Sequence, residues 1–131
     1  MITAYLVGIT MFHEDEDIEI RYAIFEDDKL INKACVFEKY RKPLVVSQIA
    51  LIKVLKELEK YKDQEITIVI NDEALNEQIR GTSTTKNREV IKMAGISRSK
   101  IKKLGDSVLI KNVSQDKLER DKWNEILIAD R

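Results

Sequence analysis

"EITIVINDEALNEQIRG", residues 65–81, decides how the rest of the chain is read. Ile66 to Ile70 is a short apolar, β-branched run of the kind that forms a buried strand. It stops abruptly at Asn71-Asp72-Glu73. Leu75 and Ile79 then fall four residues apart, as on one face of a helix, and Gly81 closes the pattern as a left-handed C-terminal cap. Acids at such a joint can ligate a metal or simply start the helix. Asn71 suits an N-cap, and Asp72 and Glu73 sit where the helix dipole favours negative charge. Helix chemistry therefore accounts for "NDE" without a metal.

Outward from this joint the order of elements is legible. "ITAYLVGITMF" (residues 2–12) reads as a strand buried on both faces, and "HEDED" (13–17) as a turn. "IEIRYAIFE" (18–26) alternates, with Ile18, Ile20, Tyr22 and Ile24 on one side and Glu19, Arg21, Ala23 and Phe25 on the other. Asp27-Asp28 suits a tight hairpin turn into "KLINKACVFEKY" (29–40). Pro43 separates the sheet from a helix that Ser47 caps, "QIALIKVLKELEKY" (48–61), with Leu51, Ile52, Leu55 and Leu58 on one stripe. After Ile70 the expectation is three short helices ending at Gly81, Gly95 and Gly105. A strand, "SVLIKNV" (107–113), follows, then a helix capped by Ser114 with Trp123, Ile126 and Leu127 on its apolar side.

Composition sets the class. The chain has 131 residues, 44% hydrophobic and 35% charged, which is expected of one soluble domain spanning residues 1–131. No apolar run is long enough for a membrane span and the N-terminus lacks a signal pattern. Cys35 is alone and is expected to be a buried thiol, so a reducing, cytoplasmic setting is expected. His13, the one histidine, stands in an acidic turn with no accompanying nucleophile and is expected to be a solvated loop residue. Net charge is zero but segregated: residues 13–28 carry eight acids against Arg21, and residues 80–103 carry eight bases against Glu89. That polarity can steer a polyanion to the basic segment or drive head-to-tail self-association.

Three hairpin-connected strands, then strands reached through helices, give an α/β fold: a five-stranded mixed sheet, its first three strands antiparallel, with helices on both faces. In element order, and in "AYLVGIT", "SQIALIKVLKEL", "ITIVINDEALNEQIRG" and "RDKWNEIL", the chain resembles ribonuclease H and its superfamily. Active members, the resemblance implies, hold two divalent metals on acids from the first strand, the first long helix, the end of the fourth strand and the last helix. Those places fall here on Val7, Gln48, Asn71 and Asp121, and only Asp121 is an acid. A valine has no donor, amides carry no charge, and two adjacent cations need anionic compensation. No catalytic residue, metal or cofactor is therefore expected, unless Asp72, Glu73 or the 13–17 turn substitutes in a divergent metal-dependent nuclease.

The basic stretch carries the sharper expectation. Lys86, Arg88, Lys92, Arg98, Lys100, Lys102 and Lys103 are interleaved with hydroxyls, a composition suited to phosphate contacts. Residues 62–122 contain no aromatic, so contact with the backbone rather than base stacking is expected. Two readings compete: an inactive ribonuclease H-like module binding nucleic acid through this segment, and a protein-interaction or self-assembly module on the same fold. A continuous basic groove beside Asn71 would favour the first, and exposed apolar residues on an edge strand the second.

Overall fold

A computed structural model describes residues 1–10, 17–39 and 42–128. Its strands are β1 (Ile2–Ile9), β2 (Ile18–Glu26), β3 (Lys29–Glu38), β4 (Ile66–Ile70) and β5 (Val108–Asn112). Its helices are α1 (Pro43–Leu58), α2 (Glu73–Arg80), α3 (Arg88–Lys103) and α4 (Lys117–Leu127), with a 3-10 turn at Glu59–Tyr61. The sheet order is β3-β2-β1-β4-β5. β1, β2 and β3 pair antiparallel, while β4 runs parallel to both β1 and β5. The hairpin between β2 and β3 turns on Asp27-Asp28 as expected, with Asp27 at φ 53°.

The two faces of the sheet are covered by different helices. Ile2, Ala4, Leu6, Ile20, Ile24, Ile66, Ile68 and Ile70 form the main core with Ala50, Leu51, Val54, Leu55 and Leu58 of α1 and with Leu75, Ile79 and Leu104. On the other face Tyr5, Ala23, Val69 and Val113 meet Trp123 and Leu127 of α4. Trp123 Nε1–H donates to the Leu6 carbonyl at 3.2 Å, which fixes α4 across β1. Truncating a fully buried leucine such as Leu51 or Leu55 would cost about 2–5 kcal/mol.

Several boundaries differ from the expectation, each for a physical reason. α1 begins at Pro43, where a missing N–H costs nothing in the first turn, and Ser47 lies inside the helix. The cap of α2 is Asp72 rather than Asn71, and that of α4 is Asp116 rather than Ser114; each accepts an N–H three residues on. Gly81 closes α2 in the left-handed conformation at φ 77°. The two segments expected on either side of Gly95 are one helix, α3, capped by Asn87. Ser97, inside that helix, buries its hydroxyl in a contact with α1. β1 ends at Ile9, and Met11 and Phe12 lie outside the described residues.

Strand β2 departs from simple alternation. Both of its faces are buried, and Glu19 and Arg21 are 2% and 8% exposed. The Arg21 Nε–H donates to Glu19 Oε2, and its Nη1–H donates to the Leu127 carbonyl at 3.0 Å, holding the last turn of α4. Cys35 is exposed on β3 rather than buried, because β3 is an edge strand of the sheet. Its thiol donates to Glu19 Oε2 at 3.1 Å. Burial pushes the Glu19 carboxyl up, but hydrogen bonds from Cys35 and Arg21 and the guanidinium charge outweigh it, leaving it below its ordinary range. The same hydrogen bond to Glu19, with burial, raises the Cys35 thiol, which keeps it protonated.

Candidate functional site

The C-terminal ends of the parallel strands β1 and β4 open beside the start of α1, where crevices of α/β sheets form. Gly8 lets the helix approach: a Cβ there would stand 2.8 Å from Val46 Cγ1 and 2.9 Å from the Val46 carbonyl oxygen. A small cavity of about 120 Å³ remains, lined by Val7, Ser47, Asn71, Asp72 and Trp123 among others. Val7 and Asn71 both line it, each partly buried.

Asp72 is the acid of this cavity, and its oxygens are engaged. Oδ1 accepts the Leu75 N–H at 3.0 Å as the cap of α2, and Oδ2 accepts the Ser47 hydroxyl at 2.6 Å. Its own N–H donates to Asn112 Oδ1 at 3.2 Å. Asn112 Nδ2 in turn donates to Glu73 Oε2 at 2.8 Å, and Ser114 Oγ lies 3.4 Å from that same oxygen. Both acids of "NDE" are thus occupied in joining α2 to α1 and β5.

Gln48 is fully buried and turns away from the cavity. Its Oε1 accepts the Ser97 hydroxyl of α3 at 2.6 Å, and its Nε2 donates to Gln78 Oε1 of α2 at 2.8 Å. Arg98 completes the tie by donating from Nη1 to the Gln78 carbonyl at 2.7 Å. Asp121 is exposed on α4, two residues and so about 200° around the helix from the sheet-facing Trp123. It does not line the cavity. The structure brings Val7 and Asn71 together, places Gln48 in a helix clamp, and sets Asp121 outside.

These residues do not fit a pair of divalent cations. Val7 offers no donor, Asn71 no charge, and the amide of Gln48 and the carboxylate of Asp72 are spent on protein partners. Hard cations at such a site require anionic oxygens aimed at a shared point. Among the described residues no group of three or more His, Cys, Asp or Glu could hold a metal ion. His13, Glu14, Asp15 and Glu16 of the acidic turn lie outside the described residues.

The cationic residues occupy α3 and the loop before it. Val90, Ala94 and Ser97 are buried against α1 and α2, while Lys86, Arg88, Lys92, Arg98, Lys102 and Lys103 are exposed and Lys100 is half-buried. From Arg88 to Lys103 they run along about 22 Å of helix. Arg98 is partly structural through its bond to Gln78. Asn87 and the Ser97–Gln48–Gln78 tie fix the start and rotation of the helix that presents these charges.

The cavity beside Asn71 is not the basic groove that would favour nucleic-acid binding: the charged residue among those lining it is Asp72. Exposed apolar residues are found on edge strand β3, at Leu30, Ile31 and Phe37. No helix is long and apolar enough to cross a membrane among the described residues.

No family model matches the sequence, and no curated protein matches it. Solved structures do match. Ribonuclease H1 from the halophilic archaeon Halobacterium salinarum NRC-1 superposes with a TM-score of 0.79 at 12% identity, over 96% of this chain and 93% of that chain. LC11-RNase H1, isolated from compost by a metagenomic approach, gives 0.77 at 16% identity, over 96% and 94%. The same enzyme in complex with an RNA/DNA hybrid gives 0.75 at 18% identity, over 97% and 94%. At these identities the likeness shows the fold, and the fold is ribonuclease H-like.

Proposed function

We propose that this ribonuclease H-like chain binds the sugar-phosphate backbone of nucleic acid through α3 and does not cleave it. The cavity beside Asn71 is not basic and lends the reading nothing; the observation that carries it is the row of exposed Lys and Arg side chains along α3, opposite a face buried against α1 and α2. Similarity to a ribonuclease H1 solved with an RNA/DNA hybrid adds support at the level of fold. Val7, Gln48, Asn71 and Asp121 are read as former ligand positions, with Gln48 and the neighbouring Asp72 turned to structural use.

Without aromatics on α3, binding is to phosphates, with little sequence preference. The test is fluorescence anisotropy with a labelled RNA–DNA hybrid over a salt series. Affinity should fall steeply with salt, and replacing Lys92, Lys100, Lys102 and Lys103 by Ala should flatten the slope by about three to four. Arg98 is left intact because of its bond to Gln78. A wild-type protein that binds no duplex, hybrid or single strand at low salt refutes the reading.

A second reading, self-association through β3, draws on Leu30 and Phe37, 46% and 58% exposed on an unpaired edge. Native mass measurement separates the two: a dimer dissociated by Phe37→Lys but not by the α3 substitutions favours this alternative.

A further inference from the structure

Where α3 ends, its last turn faces the 3-10 turn across a hollow of about 490 Å³, walled by Lys62, Lys100 and Lys103, floored by Leu104, with Glu59 at the rim. We propose that this hollow is a phosphate-binding site, which extends the α3 track onto Lys62, a residue outside the basic segment of the sequence. The inference rests on the backbone-binding reading of α3 and adds a specific subsite to it.

The frame of the hollow is fixed. The Asp63 N–H donates to the Leu104 carbonyl at 2.8 Å, the Lys62 N–H to the Glu59 carbonyl at 3.3 Å, and the Gln64 N–H to the Tyr61 carbonyl at 3.1 Å. Leu104 is 2% exposed, so the floor is part of the core. Gly105 holds φ at 121°, and an added Cβ would stand 3.3 Å from Asp63 Cα, so the chain reverses tightly against the turn that bears Lys62. Backbone geometry thereby places Lys62 across the hollow from Lys100 and Lys103.

The charges are arranged for an anion. Three lysines line the hollow against one acid, Glu59. Lys60, the next base along the turn, is drawn off by Glu57 at 3.4 Å, and the Asp63 side chain lies against Gly105. A concave site lined by one sign of charge focuses its field and concentrates counter-ions. Lysine is a compact point charge suited to a tetrahedral oxyanion without fixed orientation. The ligand class is a phosphate group, whether a backbone diester or free phosphate.

The test compares the wild type with Lys62→Ala and Glu59→Gln, both at exposed positions. With labelled RNA–DNA hybrid, Lys62→Ala should lower the magnitude of the salt slope by about one, as loss of one phosphate contact does. Glu59→Gln should tighten binding. Inorganic phosphate alone, followed by amide NMR shifts at Lys62 and Gly105, distinguishes the two sources: shifts with phosphate show that the free ion suffices, and shifts with hybrid only show a backbone site. An unchanged slope in Lys62→Ala, while the wild type binds, overturns this site and leaves the α3 reading standing. If the wild type binds no hybrid, the α3 reading falls, and the site survives only on shifts from inorganic phosphate; without them it falls too.

Discussion

Replacing Arg21 by Met removes a buried guanidinium while keeping much of its apolar volume. Arg21 and Glu19 side chains are 9% and 2% exposed, so their pairing is only weakly screened by solvent. Removing one partner of such a pair costs about 3–5 kcal/mol, because the other charge stays buried. Here Cys35 still donates to Glu19, which places the loss toward about 3 kcal/mol, and the Leu127 carbonyl loses its charged donor within that figure. For a domain of this size that is a fall in Tm of roughly 10 °C. Urea denaturation followed by circular dichroism should give the loss directly. The double variant Glu19→Leu/Arg21→Met, which removes both charges, should recover most of the stability, since a well-packed apolar pair often equals a buried ion pair. A single variant within about 1 kcal/mol of wild type, or a double variant no better than the single, would show that Arg21 and Glu19 do not act as a buried charge pair.

Glu19 also sets a pH dependence. Its folded pKa lies below the ordinary value, so its stabilising contribution is full above the unfolded pKa of about 4.3 and is lost as pH falls through the lower folded value. Urea midpoints from pH 7 to 3 should show this loss, and Glu19→Gln should remove that part of it. Gly8→Ala forces a Cβ against Val46 side chain and carbonyl and should destabilise by about 1–3 kcal/mol in the same assay. Trp123→Phe deletes the bond to the Leu6 carbonyl and leaves space under α4, for about 2 kcal/mol; a loss too small to measure would show that α4 is not fixed by that bond.

The five strands and the antiparallel pairing of the first three were legible because apolar periodicity and hairpin chemistry act locally, as in "ITIVI" and Asp27-Asp28. Helix ends were less so. Asn71, Asp72, Ser114 and Asp116 are all competent caps, and the choice between them depends on where the sheet places the first turn. Gly95 read as a stop, but a glycine with no demand for positive φ is simply carried inside a helix whose neighbours pack well. The amide at Gln48 sat on the apolar stripe of α1, a visible sign of a buried polar contact, yet its partners Ser97 and Gln78 lie 49 and 30 residues away and no local pattern names them. Lys62 was invisible as a site residue for the same reason: only the fold brings it to Lys100 and Lys103. Arg21 and Glu19 read as lying on the side of the strand away from Ile18, Ile20, Tyr22 and Ile24, and no local pattern shows that α4 packs there and buries them.

Backbone phosphates should bind to α3 without a metal. The most direct test titrates a labelled RNA–DNA hybrid into the protein in EDTA and in magnesium at matched ionic strength, then checks the strands for cleavage. Equal affinities are expected, with a steep salt slope that flattens when the α3 lysines are replaced, and with intact strands. Binding that requires magnesium, or hybrid cleavage abolished by Asp121→Asn, would contradict that expectation.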